Sequence, residues 1–290
     1  MPLGTFDPAA VLDLIEKHRI NITLGVPSML AAIAEEQHAN PRDVSSLEAL
    51  IHGGSPIATE VVRRSCSAFP TTQLIEVYGA TETSPLVALL GNEENLMDDP
   101  LARSCGRAVM GCSVNIKDAD GTELARGEVG EVVVSGTNIM AGYWNKPEQT
   151  AAVLKHGGYY TGDMGYLDDD GYLFLVDRSK DMIVSGGENV YSTEVEEVLY
   201  RHPAVLEAAV FGVPDDKWGE AVYAVIVPRP ENAEVQPEEL IAFCREHIGG
   251  YKVPKGIDIQ HEPLPKSGPG KVLKRELRAP YWEGTDRAVN

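Results

Sequence analysis

The sequence lacks most features that mark secreted, membrane-spanning or metal-stapled proteins. Its four cysteines show no CxxC or metal-ligand spacing. No apolar run reaches the length of a membrane span. The first residues do not combine a basic segment with a following apolar run, so no signal peptide is visible. These absences favour a cytoplasmic protein without a membrane span.

Positive charge is also scarce. The 290 residues carry 25 Lys and Arg against 44 Asp and Glu, which gives a net charge of −19. Because nucleic acids are bound by clustered Lys and Arg, this balance argues against a nucleic-acid partner. The hydrophobic content of 43% is sufficient for sizeable cores, and the length is typical of about two domains.

Strands and helices alternate in the first part of the chain. Asp7 and Pro8 predict a helix start with Asp7 as the N-cap, and Thr59 is expected to cap a later helix. Short apolar runs at 20–26, 47–51 and 74–78 predict strands. The alternation predicts a mostly parallel sheet.

The pattern changes twice along the remainder of the chain. Short strand candidates separated by Asp-Gly turns predict a β-rich piece with the shape of a small barrel after about residue 91. Beyond residue 177, a capping box at 193–196 predicts a helix in a compact α+β unit. We therefore expect an α/β piece at 1–90, a β-rich piece at 91–177 and an α+β domain at 178–290.

Three short motifs follow one another within about 30 residues: GGYYTGD at 157–163, DRSKD at 177–181 and SGGEN at 185–189. The isolated carboxylate of Asp163 has acceptor sites for two vicinal hydroxyls. Arg178 could hold a second polar edge of the same ligand. The Gly pair of the third motif would let a chain-like ligand pass close to the backbone.

Together with VYGATET at 77–83 and PKSGPGK at 265–271, these motifs resemble those of the adenylate-forming superfamily, and within it the acyl-CoA synthetases. The resemblance covers nearly the whole chain, with the motifs in the family's order. It implies part of a large AMP-binding N-terminal domain, made of a parallel-sheet piece and a β-barrel piece. A small, mobile α+β C-terminal domain would follow.

The resemblance implies a role in nucleotide binding for several residues of this chain. The Tyr78 ring would stack on adenine. A Gly-rich loop at residues 53–56, with the sequence GGSP, would form the other wall of the adenine pocket. The Asp would bond both ribose hydroxyls, and the Arg would bond the ribose from the other side. The residues concerned are Gly53, Gly54, Ser55, Tyr78, Gly79, Ala80, Asp163 and Arg178.

Catalytic roles are implied for three further residues. Glu82 would hold Mg²⁺, a hard cation that prefers carboxylate oxygen, and Thr81 would contact phosphate. Lys271 would reach the α-phosphate and the acyl oxygen as negative charge develops. Lys180 falls at the family's hinge position, where the C-terminal domain rotates between an adenylating and a thioester-forming arrangement.

A route for coenzyme A is implied by the remaining matches. The tunnel along which pantetheine approaches would be formed by Ser185, Gly186, Gly187 and Glu188. Trp218 resembles an aromatic side chain that lies against the CoA nucleotide in relatives. The alternative for Trp218 is ordinary packing, and the alternative for the basic segments is a solvated surface.

The family's Ser/Thr/Gly-rich phosphate loop, which ends in Pro-Lys-Gly, has no counterpart in the sequence, and no Walker motif replaces it. We therefore expect the C-terminal part of an AMP-forming acid–thiol ligase, which uses ATP, CoA and Mg²⁺. A separate chain would supply the other half of the enzyme. The apolar residues 85–90 favour a fatty or aryl acid as the substrate. The alternatives are a non-catalytic AMP- or CoA-binding fragment and an inert gene remnant.

Overall fold

The computed structural model describes residues 6–55, 57–91, 100–267 and 271–282. Pro56 of the Gly-rich loop and residues 268–270 of the lysine motif therefore lie outside the described residues. The chain divides into two compact units between Leu175 and Val176. The predicted three-part division at residues 90 and 177 stays a prediction.

The first unit begins with a five-stranded sheet in the order β1-β2-β3-β4-β5. Its first three strands pair in parallel, whereas the last two are antiparallel additions. Helix α1 precedes β1, and two further helices connect the parallel strands, as the alternating pattern predicts. The elements are α1 Pro8–His18, β1 Ile22–Gly25, α2 Pro27–Ala39, β2 Ala49–Gly53, α3 Thr59–Ala68, β3 Gln73–Tyr78, β4 Ala88–Leu90 and β5 Arg107–Ala108.

The helices bury their apolar faces against this sheet. Leu12 and Ile15 of α1, Leu30 of α2 and Leu74 of β3 belong to one buried cluster. The Asp7 side chain accepts hydrogen bonds from two amides of α1, so its prediction as N-cap is confirmed. The prediction for Thr59 is wrong: Ala58 occupies the cap of α3, and no side chain bonds to the exposed amides there.

A second, antiparallel sheet completes the first unit in the order β10-β9-β7-β6, with β8 paired to β9. Together the sheets give an α/β unit with a half-barrel. Gly121 and Gly171 have φ angles of 82° in turns closed by Asp118 and Asp168, as the Asp-Gly pairs predict. The elements are β6 Cys112–Lys117, β7 Gly130–Gly136, α4 Pro147–Val153, β8 Leu154–Lys155, β9 Gly158–Leu167 and β10 Leu173–Arg178.

The second unit is built on a sheet in the order β12-β11-β14-β13, to which β15 adds in parallel beside β14. The long antiparallel pair of β13 and β14 forms its centre. The elements are β11 Ile183–Ser185, β12 Glu188–Val190, α5 Ser192–Arg201, β13 Val205–Asp215, β14 Gly219–Pro228, α6 Pro237–His247, β15 Gly256–Ile259 and α7 Lys274–Trp282.

Helix α5 does not begin with the predicted capping box. Its N-cap is Tyr191, without a side-chain bond to the helix amides. The Thr193 hydroxyl instead donates to the Val176 carbonyl. Glu196 accepts from the Val210 amide of β13. Tertiary contacts therefore take both side chains on which the predicted box depended.

None of the helices among the described residues combines the length and the apolar character that a membrane crossing requires.

We predict that Leu74→Ala will destabilise the first unit by about 2–5 kcal/mol, because the side chain is fully buried on β3 and its removal leaves a cavity. Leu89→Ala on the adjacent strand β4 is the matched control. Its side chain is 40% exposed, so the loss should be about 1 kcal/mol or less. Urea unfolding followed by circular dichroism measures both. Equal losses would mean that β3 does not lie in the core.

Candidate active site

The carboxyl ends of two parallel strands begin the site in the first unit. Gly53, the last residue of β2, pairs with Val77 of β3. A Cβ atom at Gly53 would lie 2.2 Å from the Val77 carbonyl oxygen, so the close approach of the strands requires glycine. The pairing therefore brings the predicted loop with Gly54 and Ser55 beside Tyr78.

A tight turn follows β3 and displays the next predicted residues. Thr81–Thr83 form one 3₁₀ turn, and the Thr83 hydroxyl bonds both backbone groups of Ala80. A Cβ atom at Gly79 would lie 1.7 Å from the Pro85 carbonyl oxygen, which excludes any side chain there. The turn leaves Thr81 exposed and Glu82 half-buried.

A bulge in β9 carries the predicted ribose-binding carboxylate. Between successive pairings with β7, β9 has three residues, 161–163, where β7 has only residue 132. Gly162 adopts a φ angle of 74°, and the Thr161 hydroxyl accepts from the Asp163 amide. Bulges of this kind redirect side chains at functional sites.

The structure brings Tyr78 and Asp163 into contact. The Tyr78 hydroxyl donates to Asp163 Oδ2 over 2.8 Å, although the residues are 85 positions apart. Burial raises the pKa of Tyr78, and the negative charge of Asp163 raises it further. The phenol therefore remains a neutral hydrogen-bond donor, and one carboxylate oxygen of Asp163 is already engaged.

Two tyrosines beside Glu82 were missed by the sequence analysis. The Tyr143 hydroxyl donates to Glu82 Oε1 over 2.8 Å. Burial raises the pKa of Tyr159, and the charges of Glu82 and Asp163, together with Tyr143, raise it further. The charges of both predicted carboxylates therefore act on Tyr159. Tyr143 is 61 positions from Glu82, so no local spacing signals this contact.

In the second unit, Arg178 ends β10 and Lys180 lies exposed in the turn that follows. The amides of Asp181 and Met182 both donate to the Arg178 carbonyl. Asp177, directly before Arg178, is buried and accepts from the amides of Arg178 and Ser192. The predicted hinge residue thus follows a firmly bonded strand end.

The predicted CoA segment is a two-residue hairpin between β11 and β12. Ser185 pairs with Glu188, and the turn is Gly186-Gly187, with φ angles of 64° and 86°. The Gly186 amide donates to the Trp218 carbonyl over 2.8 Å. A Cβ atom at Gly186 would lie 2.8 Å from Cε3 of the Trp218 ring. The structure therefore brings the two predicted CoA elements together, with Trp218 42% exposed.

Lys271 lies where two chain segments of the second unit face each other. Its amide donates to the Ser267 hydroxyl, and its carbonyl accepts from the Ser267 amide. An antiparallel bridge joins Lys266 to Val272. The backbone of Lys271 is therefore bonded to Ser267 in both directions.

One protein-family model matches within each of the two units. The AMP-binding enzyme model matches residues 1–144, and the AMP-binding enzyme C-terminal domain model matches residues 194–271. The chain therefore belongs to the AMP-binding, adenylate-forming enzyme family, and the predicted resemblance is confirmed.

Two curated relatives of this chain are named as enzymes that join an acid to CoA. The chain is 41% identical over 278 residues to a feruloyl-CoA synthase of Amycolatopsis, an alignment that covers 95% of this chain and 55% of the relative. It is 40% identical to a medium/long-chain-fatty-acid–CoA ligase of Mycobacterium tuberculosis, with 99% and 51% covered. The chain thus spans about half the length of the curated relatives it matches.

Two solved structures share the fold of most of this chain. The amide bond synthetase McbA of Marinactinospora thermotolerans superimposes with a TM-score of 0.85 at 38% identity, covering 95% of this chain and 55% of that one. The o-succinylbenzoate CoA synthetase of Bacillus subtilis, in complex with its acyl-adenylate intermediate, gives 0.80 at 34%, covering 94% and 54%. The predicted fold class is confirmed.

We predict that Gly186→Ala will displace the Trp218 ring, because the new methyl group would lie too close to it. The positive φ angle adds a strain of about 1–2 kcal/mol. Incorporation of 5-fluorotryptophan measures the displacement as a shift of the Trp218 resonance in ¹⁹F NMR.

Gly187→Ala is the matched control for this experiment. It has a positive φ angle as well, but a Cβ atom there would meet no other atom within 4 Å. It should cost similar stability and leave the Trp218 resonance in place. A shift of that resonance in both variants would show that backbone strain, not the ring contact, moves Trp218.

Proposed function

We propose that the chain is the C-terminal part of an enzyme that activates a carboxylic acid with ATP to an acyl adenylate and transfers the acyl group to CoA. The observation that carries the proposal is the contact between Tyr78, at the end of β3, and Asp163, in the bulge of β9, in a chain of the AMP-binding family. The contact brings together an aromatic ring, which can stack on adenine, and a carboxylate, which can accept hydrogen bonds from the ribose hydroxyls.

The nucleotide would be held by residues from both motifs. The Tyr78 ring would stack on adenine, and residues 53–55 with Gly79 and Ala80 would form the pocket walls. Asp163 has further acceptor sites beyond the one that Tyr78 uses, and these would take the ribose hydroxyls. Arg178 would bond the ribose as a charged donor.

The proposed phosphate and magnesium site centres on Glu82. No group of three His, Cys, Asp or Glu that could hold a metal is found among residues 6–55, 57–91, 100–267 and 271–282. One carboxylate fits Mg²⁺, which is commonly held by one or two carboxylates together with substrate phosphates. Bound there, Mg²⁺ would neutralise phosphate charge. The Tyr143 hydroxyl would orient Glu82, and the exposed Thr81 hydroxyl would donate to phosphate.

Lys271 is the proposed catalytic cation. Its ammonium would stabilise the negative charge that develops when a carboxylate oxygen attacks the α-phosphorus and pyrophosphate leaves. In the following step a thiolate would displace AMP from the acyl adenylate. Gly186 and Gly187 would let pantetheine pass the backbone, with Ser185 and Glu188 beside it and Trp218 against the CoA nucleotide.

Conformational exchange is part of the proposal. The exposed Lys180 would be the hinge about which the 178–290 domain turns relative to the 1–90 and 91–177 pieces. A separate chain equivalent to the remaining half of the relatives would complete the phosphate site. The names of those relatives support a fatty or aryl acid as substrate. A non-catalytic AMP- or CoA-binding module is the alternative.

We predict that Asp163→Asn will weaken AMP binding by about 10- to 100-fold, because charged acceptors of the ribose hydroxyls are lost. Isothermal titration calorimetry measures this with the chain alone. In the unaltered chain, 2′-deoxy-AMP should also bind more weakly than AMP. The variant should no longer distinguish the two nucleotides, since its contact to that hydroxyl is already impaired.

Asp169→Asn is the matched control, because Asp169 is exposed in the turn between β9 and β10. Its AMP affinity should equal that of the unaltered chain. Equal weakening in both variants would point to a general charge effect. Unchanged binding in Asp163→Asn would remove this residue from the nucleotide site.

We predict that Lys271→Ala will lower ATP–pyrophosphate exchange by about 100- to 1,000-fold in an assembly completed by the other half. Thioester formation from supplied acyl adenylate should fall much less, because pyrophosphate has already left. Arg201→Ala, an exposed change on α5, should affect neither reaction. Unchanged exchange in Lys271→Ala would disprove the proposed role. AMP or CoA binding without any exchange would favour the binding-module alternative.

A further inference from the structure

The two segments that flank Lys271 are held by separate ion pairs of the second unit. We name residues 264–267 the entering arm and residues 272–274 the leaving arm. The arms face each other through the bridge between Lys266 and Val272, and the Leu273 amide donates to the Pro265 carbonyl over 2.8 Å. The position of Lys271 thus depends on what holds the arms.

Glu207 of β13 holds the entering arm with both carboxylate oxygens. Its Oε1 atom accepts from Lys266 Nζ over 2.6 Å, and its Oε2 atom accepts from the Leu264 amide over 3.1 Å. The two charged side chains are 25% and 21% exposed. A charged bond and a backbone bond therefore fix this arm to the central strand.

Glu196 of α5 holds the leaving arm. Its Oε1 atom lies 2.6 Å from Lys274 Nζ, and the two side chains are only 17% and 15% exposed. The same oxygen accepts from the Val210 amide of β13. Lys274 also donates to the Ser192 hydroxyl over 2.6 Å. The leaving arm is therefore joined to both the helix and the sheet.

The contacts of Lys274 extend toward the predicted hinge. The Ser192 amide donates to Asp177, and Asp177 also accepts from the Arg178 amide. Burial lowers the pKa of Lys274, but the charges of Glu196 and Asp177 outweigh it and hold the pKa above its ordinary value. Lys274 therefore remains an ammonium between two acids, three residues after Lys271.

A gain in folding stability does not by itself explain why these two positions carry ion pairs rather than apolar side chains. A well-packed apolar side chain in place of a buried ion pair is often neutral or stabilising, whereas removal of one partner leaves an uncompensated charge. Directed charge pairs do, however, define one geometry for the backbone that carries them. Two such pairs, one on each arm, restrict where Lys271 can lie.

We propose that Glu207–Lys266 and Glu196–Lys274 are positioning pairs that fix the two arms on either side of Lys271. The catalytic meaning of this inference rests on the proposed function, since it requires Lys271 to act on the α-phosphate. The restraint of the arms is independent of that chemistry and is measured separately.

Hydrogen–deuterium exchange of the full chain tests the restraint directly. Lys274→Met keeps an unbranched side chain, one atom shorter, and removes its charge, so amides of the two arms should exchange about 10- to 100-fold faster. Amides of α6, which carries neither pair, should be unchanged. Lys274→Arg, which retains a charged donor, should restore at least half of the protection on a logarithmic scale.

Lys252→Met is the matched control for exchange. It breaks another ion pair of α5, in which Lys252 Nζ lies 2.7 Å from Glu194. The arms should keep their protection in this variant. If Lys274→Met does not fold, the more exposed Lys266→Met replaces it and should loosen the entering arm. Unchanged arm exchange in the folded charge-removing variants would overturn the inference.

Activity in the completed assembly distinguishes this inference from the proposed function. Lys274→Met should lower kcat for pyrophosphate exchange by about tenfold or more while the KM for ATP stays within about twofold, because a misplaced lysine affects the transition state more than nucleotide binding. Lys274→Arg should recover part of kcat. Loosened arms with unchanged kcat would refute the positioning role. If the variants loosen the arms but the unaltered assembly shows no pyrophosphate exchange, only the proposed function would be refuted.

Discussion

The parallel pairing of β2 with β3 is the constraint from which the site in the first unit follows. Because a Cβ atom at Gly53 would overlap the Val77 carbonyl, the strands approach closely only with glycine at this position. The approach places two loops side by side at the strand ends, and Tyr78 extends from there to Asp163. Leu74, buried on the same strand, connects this edge to the helices behind it.

The parallel strands of the first unit, the Asp7 cap and the order of the motifs were predictable, because each depends on residues that are close in sequence. Contacts between distant residues were not. The capping-box prediction failed because Glu196 bonds to Lys274 and to the Val210 amide instead of its own helix. Tyr143 reaches Glu82 across 61 residues, and nothing in the spacing indicates that contact. Tertiary structure overrides local preference at such positions.

The candidate site residues of this protein are held by partners that have no proposed catalytic role. Tyr143 bonds to Glu82 in the first unit, and Asp177 bonds to the backbone of Arg178 in the second. These partners are protein groups, so the geometry of the candidate residues exists before any ligand arrives. Preorganisation of this kind lowers the entropy lost on binding and in the transition state.

The bond between Tyr78 and Asp163 also bears on how fast a nucleotide would leave. In the absence of ligand, the Asp163 carboxylate already accepts a hydrogen bond from Tyr78, so its charge is partly satisfied by the protein. An arriving ribose adds to or exchanges with an existing bond, and its net gain is smaller than that from an unsatisfied acceptor. The ribose contact then contributes selectivity with modest affinity. Under the proposed function, this balance would shorten the residence time of AMP, a product that acid activation releases in every cycle.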